Sequence, residues 1–74
     1  MTKDYKIRVF LKGGANVDIT SPCLEVKSAS SIKRSAKDIV NRRFGDKWEL
    51  AIVLIRRYNY YADEEKTDEV RILP

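Results

Sequence analysis

Leu50 to Ile55 is a run of six consecutive apolar residues, the only such run in a chain of 74. A strand with one wet face would place a polar residue at every second position, so this run predicts a strand that is dry on both faces. It falls well short of the ~20 apolar residues that a membrane span requires. The β-branched Ile52, Val53 and Ile55 favour a central strand over a buried helix. The rest of the chain is therefore read as the cover of a small sheet whose middle strand runs from about Trp48 to Tyr58 or beyond.

Upstream, Tyr5, Ile7, Val9 and Leu11 alternate with Lys6, Arg8, Phe10 and Lys12. This period of two predicts a strand with one face to the core. Gly13-Gly14 supplies the positive φ angles of a tight hairpin turn, and Ala15, Val17 and Ile19 mark the returning strand. Pro22 lacks a ladder N–H and ends it or bulges it. Cys23–Lys27 is expected to resume as extended chain, with Leu24 and Val26 facing inward. Ser28-Ala29-Ser30-Ser31 offers several N-caps for a helix that follows. At 100° per residue Ile32, Ala36, Ile39, Val40 and Phe44 share one side, and Gly45 suits the position just past the C-cap. After the central strand, Ala62–Lys66 reads as an acidic hairpin loop and Thr67–Leu73 as the last strand, with Val70 and Ile72 on one face.

The order is β-β-α-β-β. It predicts an α+β fold, a small single-layer sheet with one amphipathic helix packed on one face. The alternative is a β-grasp-like mixed sheet, in which a right-handed crossover makes the third strand parallel to the first. Residues 1–74 are too few for more than one small domain. The charged fraction of 35% is high, but the signs are mixed, unlike the pattern of a disordered chain. The first ten residues contain no apolar stretch of the secretory kind, and neither end carries a lipidation motif. Cys23 is the only cysteine, which fits a reducing, cytoplasmic setting and no internal disulfide.

Several kinds of chemistry are set aside by composition. With no histidine, the usual general base near neutral pH and the imidazole metal ligands are missing, so the chain is expected to be non-enzymatic, with no cofactor and no metal. Cys23 has no histidine to activate it and reads as a buried or edge thiol. Gly13-Gly14 is not followed by Lys-Ser/Thr, so it is a turn and not a phosphate cradle. Asp63, Glu64, Glu65, Asp68 and Glu69 lack the spacing of a calcium loop and read as a solvated hairpin tip.

Binding is the remaining function class, and the charge distribution points to it. Residues 1–45 hold ten basic and four acidic side chains, whereas residues 46–74 hold five and seven. Two features stand out. On the helix, Lys33, Arg34 and Lys37, with Arg42 and Arg43, form a basic face suited to phosphate backbones. The plain alternative is a solvated face, since Asp38 lies four residues from both Arg34 and Arg42, and Arg42 and Arg43 also offset the helix dipole. On the central strand, Arg56, Tyr58 and Tyr60 share one face and Arg57 the other. Tyrosines and arginines on a strand suit base stacking and phosphate contact, or a protein hot spot, or simple cross-strand packing.

The sequence thus predicts a small basic binding protein that contacts an acidic partner, nucleic acid first, through Lys33, Arg34, Lys37, Arg56, Arg57, Tyr58 and Tyr60. The alternative is a protein–protein interaction module, an inhibitor or adaptor, that uses a sheet edge and the Tyr-rich surface. A homodimer through a sheet edge belongs to the same expectation, and no membrane partner is expected.

Overall fold

Four strands and one helix follow one another as β1 (Thr2–Leu11), β2 (Asn16–Thr20), α1 (Ala29–Phe44), β3 (Trp48–Asn59) and β4 (Glu64–Ile72). They come from a computed structural model that describes residues 2–74. The sheet order is β2-β1-β3-β4, and every neighbouring pair is antiparallel. The helix packs on one face, so the fold is the single-layer α+β arrangement.

The β-grasp alternative is excluded by the direction of β3. Gly45 ends the helix at φ 61°, its N–H returning to the Asn41 carbonyl at 2.9 Å. Two residues later the chain is already beside the C-terminal end of β1, where Lys12 N–H donates to the Lys47 carbonyl at 2.8 Å. From there β3 can only run back along β1, antiparallel to it.

The core lies between helix and sheet. Ile7 and Val9 of β1, Ile19 of β2, Ala51, Val53 and Ile55 of β3 and Ile72 of β4 are buried beneath Ala36 and Val40 of the helix. Each fully buried aliphatic side chain of this kind contributes about 1.5–3 kcal/mol of transfer free energy. The helix starts at Ser28, whose Oγ accepts the Ser31 N–H at 3.1 Å while Ser31 Oγ accepts the Ser28 N–H at 2.8 Å. This reciprocal cap satisfies two end donors. It also explains how Ser31, the one buried polar residue among those described, tolerates its position.

A one-residue irregularity in β3 fixes the tryptophan. Phe10 faces Leu50 but Leu11 faces Trp48, so Glu49 is an extra residue in the ladder. Without it, alternation would put Trp48 on the same side as Leu50, away from the helix. The bulge turns it inward. There its ring is 1% exposed, and its Nε1–H donates to Asn41 Oδ1 of the helix at 2.9 Å.

Several expectations need correction. The central strand is not dry on both faces: Ala51, Val53 and Ile55 are buried under the helix, whereas Leu50, Ile52 and Leu54 are only half-buried. Among the described residues no second layer covers them, because their one helix lies on the other side. Cys23–Lys27 forms no strand. Ser21 takes a positive φ of 49° and Pro22 follows, which turns the chain off the sheet. Leu24 still packs against the core, but Val26 is half exposed, and Cys23 is an exposed thiol rather than a buried or edge one. The second hairpin loop is Tyr60–Asp63, not Ala62–Lys66, with Asn59 paired to Glu64. Its left-handed residue is Asp63 (φ 49°), whose carboxylate accepts a hydrogen bond from the Tyr58 hydroxyl.

Candidate functional site

The basic side chains fall into two groups that ion pairing separates. On the sheet, Arg8 Nε lies 3.0 Å from Asp18 Oδ1, Arg56 Nη2 lies 2.7 Å from Asp4 Oδ2, and Arg57 Nη2 lies 3.2 Å from Asp68 Oδ2. Arg56 also has Glu65 at 3.6 Å. On the helix, Arg42 pairs with Asp38 at 2.9 Å, one turn earlier. Hydrogen bonding to Asp18 holds the Arg8 guanidinium above its ordinary pKa, and the same bond holds the Asp18 carboxyl below its own. Asp4 raises Arg56 in the same way.

Lys33, Arg34 and Lys37 have no such partners among the described residues. Spacings of three and four residues put them on one strip of the helix. Beside them runs the C-terminal end of β4, and between the two lies a shallow groove of about 480 Å³. Ser30, Lys33, Arg34 and Lys37 form one wall, and Arg71, Ile72 and Leu73 the other. The first helical turn carries no acidic residue. Its partial positive charge therefore adds to that of the lysines and arginines. Exposed Leu73 gives the groove an apolar lip.

The candidate residues on β3 lie elsewhere. Cross-strand register puts Arg56 and Tyr58 on the face of the sheet away from the helix, and Arg57 on the helix side but near the far end of β3. Arg56 lines a larger depression of about 570 Å³ on the helix-free face, together with Asp4, Lys6, Thr20, Pro22 and Leu54. Tyr60 is no longer in the strand. It stands in the hairpin loop, edge-on to Tyr58 with ring centroids 4.7 Å apart, and is 66% exposed. The Tyr58 hydroxyl is held above its ordinary pKa by its hydrogen bond to Asp63. Tyr61 is almost fully exposed, while its N–H is taken up by Asn59 Oδ1 at 3.1 Å.

The fold thus brings Lys33, Arg34 and Lys37 together and holds Arg56, Arg57, Tyr58 and Tyr60 apart from them. Sequence reasoning missed Arg71 and Ser30. Ser30 reads as one of several caps, and Arg71 borders the groove only through the end of β4, since its register partner Ile52 puts its side chain on the helix-free face. The described residues contain no cluster of three or more side chains suited to a metal ion, and no helix is long and apolar enough to cross a membrane. Comparison with family models, with curated proteins and with solved structures gives no match.

Proposed function

We propose that this chain binds an acidic partner, nucleic acid first, through the groove between α1 and the end of β4. The observation that carries this reading is the unequal neutralisation of its cations. Arg8, Arg42, Arg56 and Arg57 each have a carboxylate within 3.2 Å, whereas Lys33, Arg34 and Lys37 face the groove unpaired among the described residues. A cation already matched by a carboxylate must lose that partner to neutralise a phosphate, whereas an unmatched one neutralises it directly and displaces the counterions condensed on the nucleic acid. Arg56 and Arg57 play the lesser part, since a phosphate must displace Asp4 or Asp68 to reach them.

Fluorescence anisotropy with random single- and double-stranded oligonucleotides at two salt concentrations tests the proposal. Wild type should bind with an affinity that falls steeply with salt. The triple variant K33A/R34A/K37A should bind more weakly and lose about 2–3 from the slope of log K against log salt on duplex. The R56A variant should change both quantities less. Equal binding by wild type and the triple variant would remove the groove from the reading.

The protein-partner reading keeps one observation of its own. Tyr60 and Tyr61 project from the hairpin loop at 66% and 98% exposure, and exposed tyrosines of this kind anchor protein interfaces. Absence of oligonucleotide binding even at low salt would favour this surface.

A further inference from the structure

Among the described residues, the groove between α1 and the end of β4 is lined by hydroxyl, ammonium, guanidinium and aliphatic groups, and by no aromatic ring. Single strands are held in two ways at once: cations follow the backbone, and rings stack the unpaired bases. Here only the first is on offer. We infer that the ligand of the groove is a double helix, met along one sugar–phosphate ridge with no base read. This ligand class rests on the nucleic-acid reading of the groove and narrows it to one form of that partner.

The exposed rings of the chain stand too far off to complete a stacking site. Tyr58 is paired with Glu65 of β4, seven residues before Ile72 at the groove. At the rise of a strand that is about 23 Å. Their surroundings also carry the wrong charge. The Tyr58 hydroxyl is bonded to Asp63, Tyr60 stands edge-on to Tyr58, and Glu64 and Glu65 follow at once. Carboxylates beside the rings repel the phosphates of any strand whose bases stack there.

Shape and charge spacing favour the duplex as well. Base edges lie on the floor of a nucleic-acid groove and are reached by a protruding helix or ribbon. Lys33, Arg34 and Lys37 instead form one wall of a shallow depression, with Ile72 and Leu73 on the other side. Such a hollow receives a convex ridge. Lys33 to Lys37 spans about 6 Å of helix, and each strand of a duplex places a phosphate every ~3.4 Å along the axis. About two or three phosphates of one ridge thus fall within reach of the three cations. Neutralising about three gives a slope of log K against log salt near −2.7 on duplex and near −2.1 on single strand. Other things being equal, that difference is worth about fourfold in affinity at about 0.1 M salt.

Fluorescence titration of a labelled duplex and a labelled single strand, followed by displacement with unlabelled competitors matched in phosphate concentration, tests the inference. Duplex DNA and duplex RNA should each compete at about fourfold lower phosphate concentration than their own separated strands. The stronger of the two duplexes names the sugar. A change of base sequence at constant length should move the midpoint by less than about twofold. Y60A/Y61A should stay within the same margin, whereas K33A/R34A/K37A should weaken duplex binding at least about tenfold. Strands that compete as well as duplexes, or weaker binding by Y60A/Y61A, would overturn the inference and leave nucleic acid as the partner. No binding of either labelled form, even at low salt, would overturn both.

Discussion

The two faces of β3 carry the same kind of side chain and live in different worlds. Ala51, Val53 and Ile55 point at the helix and are at most 6% exposed; Leu50, Ile52 and Leu54 point the other way and are only half-buried. Apolar identity is therefore not a measure of burial. The helix can cover one side of the sheet only, and the residues on the other side are shielded by their charged neighbours, such as Lys6 and Arg8 on β1 and Glu69 on β4. The first face accounts for the stability of the fold. The second is kept from water only in part.

Substitutions should separate the faces in order of effect. V53D puts a carboxylate in the closed core and should cost about 4 kcal/mol or more. Urea unfolding should find it unfolded or nearly so. I52D, one residue away, should cost about 1 kcal/mol. Equal losses for the pair would mean that the open face is as closed as the other. Next comes the polar contact at the edge of the core. N41A removes the acceptor of the Trp48 Nε1–H, a loss of about 0.5–1.5 kcal/mol in the same assay.

The matching polar contact on the open face, Arg8 with Asp18, should give the smallest effect. Arg8 lowers the Asp18 pKa in the folded chain, so this pair stabilises the fold above the carboxyl's unfolded value and ceases to do so as pH falls through the lowered one. The pair is solvated, and its contribution is small. The readout is therefore local: in R8A, the Asp18 carboxyl followed by NMR should titrate closer to its ordinary 3.8. An unchanged midpoint would show that Arg8 does not hold it.

Much of this comparison was legible in the sequence, and what was hidden has a physical reason. The apolar run marks β3 because burial demands apolar atoms, Gly13-Gly14 marks the first turn because positive φ favours glycine, and the helix shows its buried stripe by period. The bulge at Glu49 has no such signature, since neither glycine nor proline attends it, and so the side to which Trp48 points was hidden. The second turn was displaced for a similar reason: its left-handed residue is Asp63, where sequence logic looks for glycine. At the candidate site, the charges were visible but their pairing was not. Asp38 with Arg42 is a local pair and could be read. Asp4 with Arg56 joins opposite ends of the chain and appears only once β1 and β3 are neighbours.

That neighbourhood also shapes how the chain must fold. Both hairpins and the helix are local, and each can form on its own within microseconds. The β1–β3 ladder is not: it joins Leu11 to Trp48 at one end and Thr2 to Tyr58 at the other. Its closure entropy must be met before any of its contacts forms, which slows folding relative to a helical bundle of equal length. The ladder is thus the step that commits the chain. Mutations along it, at Ile7 or Val53, should slow refolding, while changes confined to the outer hairpin strands should mainly speed unfolding.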